Sequence, residues 1–488
     1  MRIVHTNDFH GRLLPQRPGG TNRTVGGSAV LAAHFDSAAA RFEGPTFVLS
    51  GGDDMQGTAI SNLSWGRATI AAHNASGYDA AALGNHEFDW GVDTLRARIR
   101  ESRFPWLAAN VYRAGTQHAP EWVKPWVMLE RRGVRLAVVG AALSGTPQIV
   151  AAGRTAGLEF GPEAPAIDRG VREARTAGAD FVVVTLHVGA VCTSPGRAPE
   201  EESSGCEGEV LEITRALREP VDLIVGGHTH QRVLTTVAGI PVVEAASYGT
   251  AYSVTDLERR EGRTVATYRA VRTPYADEVT PDTAVARVVE TWNENVRPIS
   301  ERVVLSFAAP MERGESTEYP LGNLIADAHR VATGAHASLV NNGSIRRGMP
   351  AGPITYGMLY ELQPFQNGLV TVELTGAQLR AALENALGRQ GRPGAHVSGM
   401  TVTYDPRAPQ GSRVRAIRLT DGREIGDTDR ISLGVTDFLA GGGDRYTSLT
   451  QGRTSRTGLV DLDALIDYLK SLPQPVAPPG VGRWVETR

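Results

Sequence analysis

Lysine is almost missing from this chain: Lys124 and Lys470 are the only two, and arginine supplies the rest of the basic charge. Those arginines are spread along the whole length, which reads as a genome-composition bias rather than a basic patch. Excess charge of either sign is missing too, with a net charge of −3 over 488 residues. That balance excludes a global electrostatic pull toward nucleic acid or membrane, so any anion must be bound by local arginines. No apolar run reaches the length of about eighteen residues that a membrane-crossing helix requires. The first residues, Met1-Arg2-Ile3-Val4-His5-Thr6, lead straight into a strand-like segment and show neither the apolar region nor the cleavage site of a signal peptide. The expectation is a protein that stays inside the cell, or a mature or trimmed chain. Cysteine is scarce. Cys192 and Cys206 lie in one polar loop, and either a disulfide in an oxidising compartment or two free thiols fits that spacing. Internal repeats and long low-complexity segments are absent.

What is present is an ordinary folded composition, 41% hydrophobic and 21% charged, in a chain too long for one core. Two domains are expected. In the first half strand-like and helix-like segments alternate: strands at 2–5, 46–49, 79–83, 135–140, 181–186 and 221–225, and helices at 28–41, 69–76, 95–102, 168–178 and 210–217. This is the pattern of a layered α/β domain whose strands are buried on both faces. The alternation stops around Tyr268. A connecting helix is predicted over 279–296, closed by Pro298, and a second unit begins near Val303. That unit is predicted to have helices at 321–333, 376–387 and 462–472, a strand at 337–340, and a proline-rich tail, 473–480, lying extended on the surface. The expected domains are 1–275, a linker helix over 276–300, and 301–488.

Polar clusters in the first half all follow strands. Asp8 and His10 follow the first, Asp53 the second, and Asn85, His86 and Asp89 the third, within Gly84-Asn85-His86-Glu87-Phe88-Asp89-Trp90-Gly91. His187 follows another strand, and His228 and His230 the last. Strand ends are where an α/β sheet places its site. Singly, Asp8 and His10 fit turn capping as well, and His187 fits a core histidine. Together, seven ligands of carboxylate, amide and imidazole type exceed one tetrahedral ion and suit two divalent ions, with Asp53 as the bridging carboxylate. Two ions roughly 3.5–4 Å apart activate water and neutralise phosphoryl oxygens during phosphoester hydrolysis. Asp89 is spaced to hold and tune His86.

The blocks Thr6-Asn7-Asp8-Phe9-His10-Gly11, Gly51-Gly52-Asp53, Gly84 to Asp89, Leu186-His187 and Gly227-His228-Thr229-His230 resemble those of the 5′-nucleotidases, which are built on the calcineurin-like metallophosphoesterase fold. The resemblance implies a four-layer α/β/β/α domain with a smaller α+β substrate-binding domain behind a linker helix. It implies two metals, Mn, Zn, Fe or Co, held by Asp8, His10, Asp53, Asn85, His187, His228 and His230. His86 with Asp89 is implied to be the catalytic dyad that is not a ligand.

The second half carries Asn341-Asn342-Gly343-Ser344-Ile345-Arg346, Gln363-Pro364-Phe365 and Phe438-Leu439-Ala440-Gly441-Gly442-Gly443-Asp444. An arginine on a glycine turn suits an anion, two phenylalanines suit a base, and an aspartate suits a ribose diol. Core packing explains either phenylalanine alone, and a flexible hairpin explains the glycines. These blocks are similar to the 5′-nucleotidase C-terminal domain. The similarity implies Phe365 and Phe438 at the base, Asp444 at the ribose, and Asn341 and Arg346 near sugar or phosphate. It also implies rotation of this domain about the linker to deliver substrate.

One stretch, Arg313 to Asn323, departs from the family pattern. Pro320 stands where the family has asparagine, and Arg313 is out of step. Base binding is therefore expected, while contacts to phosphate or ribose on that side stay open. The expected activity is release of phosphate from nucleoside 5′-monophosphates and related nucleotides by in-line attack of a metal-bound hydroxide. The alternatives are a 2′,3′-cyclic phosphodiesterase with 3′-nucleotidase activity, a nucleotide-sugar hydrolase, and, from another class, a nucleotide-binding protein without catalysis. A thiosulfohydrolase shares the metal fold and ranks below these, because the phenylalanines and Asp444 suit a nucleoside. The expected partner is a nucleotide rather than a nucleic-acid polymer.

Overall fold

The computed structural model describes residues 1–18, 22–314 and 317–487. It divides into two compact units, Met1–Val296 and Arg297–Arg488. Glu315 and Ser316, inside the stretch that departs from the family pattern, lie outside the described residues.

Apolar, β-branched runs such as Phe181–Leu186, buried along their whole length, make the first unit a pair of stacked sheets. One six-stranded sheet runs, edge to edge, Arg263–Arg272, Tyr252–Arg260, Arg2–Thr6, Thr46–Ser50, Ala80–Ala82 and Trp106–Leu107, parallel from Arg2–Thr6 onward. The other runs Arg232–Val237, Ile240–Ala245, Leu223–Val225, Phe181–Leu186, Val134–Ala141 and Trp126–Arg131, with antiparallel edges and a parallel centre. Ile3, Leu49 and Leu107 of the first sheet share one core with Val138, Val183 and Val225 of the second. The helices Ser28–Ala40, Arg67–Ser76 and Val92–Glu101 pack on the outer face of the first sheet through Leu31, Phe35, Ala68 and Leu95. Glu163–Thr176 and Glu209–Ala216 cover the second through Ile167, Val171 and Val210. The result is the expected helix–sheet–sheet–helix layering. Because the central strands are parallel, the loops leaving their C-terminal ends gather at one edge.

Some boundaries differ from expectation. The alternation ends after the His228–His230 loop, well before Tyr268, because 232–272 form two antiparallel hairpins. Their turns, Ala238-Gly239 and Glu261-Gly262, adopt positive φ at both residues (50° and 82°; 50° and 78°). That is hairpin geometry, reached without the asparagine–glycine or aspartate–glycine pair that advertises it. The helix expected from Asp168 begins at Glu163, since Pro165 sits in a first turn whose N–H groups have no helical partner anyway. The helix expected over 279–296 spans Thr283–Ser300. It starts late because the Asp282 carboxylate caps it, accepting from the Val285 N–H at 2.7 Å. It also runs through Pro298 instead of stopping there. Glu294, whose carbonyl loses its helical donor to that proline, is exposed to water.

The second unit is α+β. Its five-stranded sheet is ordered Ala395–Ser398, Ala337–Asn341, Arg430–Thr436, Gly368–Thr375 and Arg453–Val460. Leu379 and Leu383 of the helix Gly376–Ala386 pack against Val370, Val372 and Leu433 of that sheet. The helix opens on a capping box between Thr375 and Gln378. A smaller sheet joins Val414–Leu419, Met400–Tyr404 and Trp484–Glu486. The proline-rich tail, 473–480, lies extended and largely exposed, as expected, and one residue anchors it. Val476 is buried, donating to the Ser306 carbonyl and accepting from the Ala308 N–H. Cys192 and Cys206 are joined in a disulfide, paired directly across the strands Val191–Ser194 and Ser204–Glu207. Among the described residues no helix is long and apolar enough to cross a membrane.

Candidate active site

Asp8, His10, Asp53, His228 and His230 all leave their strands in the left-handed backbone region, with φ of 49°, 50°, 56°, 79° and 58°. Non-glycine residues rarely adopt it, and such strain persists where the surroundings over-determine it. The turns bring the side chains together as two groups: Asp8 with His10 and His230, and Asp53 with His187 and His228. His187 lies between them, its Nε2 3.0 Å from Asp53 Oδ2 and 3.9 Å from Asp8 Oδ1. Asn85 Oδ1 approaches His228 Nδ1 at 3.1 Å, which adds the amide to the second group.

Each donor is aimed by a second contact. The His10 Nδ1–H donates to the Gln56 carbonyl and the His187 Nδ1–H to the Gly51 carbonyl, both at 2.8 Å, which leaves Nε2 as the lone-pair nitrogen on each ring. Asp8 Oδ2 accepts from the His228 N–H at 2.9 Å and from the Asn7 amide at 2.6 Å, turning Oδ1 inward. His10 Nε2 and His230 Nε2 face each other at 3.1 Å, with Asp8 Oδ1 3.3 Å from His230 Nε2.

Carboxylates and imidazoles set one another's charge here. Burial disfavours charge on His187, yet Asp53 and then Asp8 outweigh it and lift its pKa to about 10. Burial works against Asp8 as well, but His230 and His187 carry its carboxyl below the usual range, and the same histidine holds Asp53 low. Burial, followed by the charge on His187, lowers His228 to about 4. Asp8 Oδ1 and His187 Nε2 are buried and face only the carboxylates and imidazoles of this cluster. Inward-facing oxygen and imidazole donors gathered this closely fit divalent ions of the Mn, Fe, Co and Zn kind.

His86 stands beside this pocket. Its Nδ1 lies 2.7 Å from Asp89 Oδ2, its ring centroid is 5.2 Å from that of His10, and its backbone N–H donates to Asp53 Oδ1 at 2.8 Å. All nine residues singled out in the first half thus meet at one strand edge.

Residues that support the site from behind had no such signature. Glu87, 1% exposed, accepts from the N–H groups of Asp53 and Gly84 on Oε2 and of Asp54 and Met55 on Oε1. It fastens the Asp53 loop to the Asn85 loop, and burial with the Asp53 and Asp54 carboxylates pushes its pKa up to about 8. Its place inside the densest motif is the one sequence signal. Glu244 holds the His228–His230 loop, accepting from the Thr229 hydroxyl at 2.6 Å and the Gln231 N–H at 3.2 Å. It sits mid-strand with no local signal. Tyr248 places its ring 5.2 Å from His10 and 5.3 Å from His230.

In the second unit the five predicted residues also cluster. Asn341 Nδ2 donates to Asp444 Oδ2 at 2.7 Å. Asp444 has φ 51°, and the half-buried Phe438 lies so close to Gly443 that a Cβ there would fall 2.4 Å from the ring. Arg346 lies over the Phe365 ring at 5.8 Å and donates to the Gly343 carbonyl, whose own glycine borders Asn341 and Asp444. Arg313, out of step in sequence, reaches this loop by donating its Nε–H to the Ile345 carbonyl at 2.6 Å.

A calcineurin-like phosphoesterase family model matches residues 1–232, and a 5′-nucleotidase C-terminal domain model matches residues 299–451. The chain belongs to the 5′-nucleotidase family. Its class of chemistry is that of a metal-dependent phosphoesterase hydrolase. The crystal structure of a Thermus thermophilus 5′-nucleotidase precursor superposes with a TM-score of 0.88 at 28% identity, covering 100% of this chain and 99% of that one. The Bacillus subtilis endonuclease YhcR is 28% identical over 99% of this chain, which spans only 40% of that protein's length. The UshA protein of Yersinia enterocolitica is 25% identical over 96% of this chain and 90% of its own.

Proposed function

We propose that the protein releases phosphate from nucleoside 5′-monophosphates and related nucleotides. Hydrolysis is assigned to residues 1–275 and nucleoside recognition to 301–488, with the helix-bearing 276–300 between them. The observation that carries this is the convergence of two triads, Asp8–His10–His230 and Asp53–His187–His228, beside His86 and Asp89. Asp8, His10 and His230 would hold one divalent ion; Asp53, His187, His228 and Asn85 would hold the other. When bound, the ions supply an activated water and offset phosphoryl charge. Asp89 accepts the Nδ1 proton of His86 and fixes the ring, so the imidazolium presents Nε2–H to the departing oxygen. Phe365 and Phe438 hold the base, Asp444 the ribose, and Asn341 with Arg346 the sugar or phosphate. The disulfide suits an oxidising compartment.

A second reading, hydrolysis of phosphodiesters, is favoured by the endonuclease among the relatives. Hydrolysis of AMP, 3′-AMP, 2′,3′-cyclic AMP, ATP, UDP-glucose and p-nitrophenyl phosphate, followed by chromatography of the nucleotide products as well as by phosphate release, with Mn and with chelator, separates the readings. Metal-dependent preference for AMP supports the first, and preference for the cyclic or 3′ substrates replaces it. No turnover of any, with both metals bound, leaves a nucleotide-binding protein.

A further inference from the structure

Trp65 is the one aromatic side chain among the large apolar residues exposed on the described surface, at 57%. Its exposure is built in rather than left over. The residue has φ 54°, in the region that bulky side chains avoid, and the buried Arg98 guanidinium clamps its carbonyl at 3.0 Å. Gly66 follows with φ 80°, where a Cβ would come within 2.7 Å of Met55 Sδ and 3.0 Å of the Trp90 ring. That glycine lets the Trp65 turn press against Trp90, and the two indoles meet edge to face at 6.1 Å and 70°.

The shelf is fastened to the metal-site loops at both ends. Trp90 immediately follows Asp89, the partner of His86. On the other side the Trp65 N–H donates to the Asn62 carbonyl, the Asn62 amide oxygen accepts from Gly57, and the Thr58 N–H donates to the His10 carbonyl. A wet indole face held by a strained turn, on the loop that carries the His86–Asp89 dyad, suits a flat ring carried by the substrate. A protein core has no use for it.

We propose that the Trp65–Trp90 shelf binds a second nucleobase, that of a substrate whose scissile phosphate joins two nucleosides. This rests on phosphoester hydrolysis at the adjoining metal centre. A monoester carries one base, which the second unit's phenylalanines are assigned to take. A dinucleoside phosphate carries another, and the shelf supplies its stacking surface.

The test compares adenylyl-(3′→5′)-adenosine with the methyl ester of AMP, which keeps the diester and one base but lacks the second. The wild-type protein will prefer the dinucleoside in kcat/KM. Trp65→Ala will lower that preference about 10-fold, chiefly through KM, within the range for base stacking on aromatic rings. Trp65→Phe will retain most of it. Tryptophan fluorescence titrated with the same two ligands reads the shelf without turnover, and the dinucleoside will bind about 10-fold more weakly to Trp65→Ala. An unchanged preference and unchanged binding in Trp65→Ala overturn the proposal, as does equal binding of the two ligands to the wild type. Turnover of AMP with no preference between the diesters sinks the shelf and spares the metal centre. Preferential binding of the dinucleoside without turnover of any ester does the reverse.

Discussion

The first unit carries its chemistry on buried side chains at the ends of parallel strands, and the second carries its own on half-buried loops. Asp8, Asp53 and His187 are almost wholly excluded from water, and each is held by a backbone group or a neighbouring ring. Phe365, Phe438, Asp444 and Arg346 retain partial exposure. The difference fits the roles proposed for the two regions. Divalent ions need donors fixed within tenths of an ångström, so strain and burial are tolerated to fix them. A nucleoside needs a face that opens to receive it.

That contrast is broken most severely at His86. His86→Ala will cut turnover by about 10²- to 10⁴-fold, the usual worth of a general acid, while metal content per chain stays near the wild-type value. Loss of both metals, read by elemental analysis, would make His86 a ligand.

Asp461 tests whether burial also has a cost in the second unit. It is fully buried, and desolvation raises its pKa to about 7 despite bonds from Leu462 and Asn367. Because the folded state keeps this proton over a window in which the unfolded chain releases it, stability is full below about pH 4 and falls as pH rises through 7. The loss is at most about 4 kcal/mol. Asp461→Asn will therefore raise the melting temperature at pH 8 and leave it unchanged or lower at pH 3.5. An equal shift at both pH values would refute the assignment.

The smallest effect sharpens the comparison. Phe438→Ala will raise KM for AMP about 10-fold, with less change in kcat and none in metal content. An equal rise for glycerol phosphate would show that the ring packs rather than stacks.

The candidate site was legible because Asp, Asn and His recur after one strand end after another, and the layers followed from runs such as Phe181–Leu186. The hairpins over 232–272 were not, since Ala238-Gly239 and Glu261-Gly262 lack the usual turn residues. Glu87 and Glu244 escaped for another reason. They act on backbone N–H groups, which every residue has, so no side-chain pattern announces the partner. In the second unit the blocks were readable by resemblance, whereas the tether from Arg313 to Ile345 depends on a carbonyl and left no trace in residue type. The helix through Pro298 shows that a proline near a helix end is tolerated where the carbonyl it leaves behind can reach water.

Glu87 has a consequence in time. One carboxylate gathers the amides of Asp53, Asp54, Met55 and Gly84, so none of them opens to solvent without loosening the others. In heavy water these four amides will exchange at a common slow rate, set by the opening of the two loops as one body. The same opening would part Asp53 from Asn85, so the exchange of these amides also times how often that proposed pair of ligands comes apart.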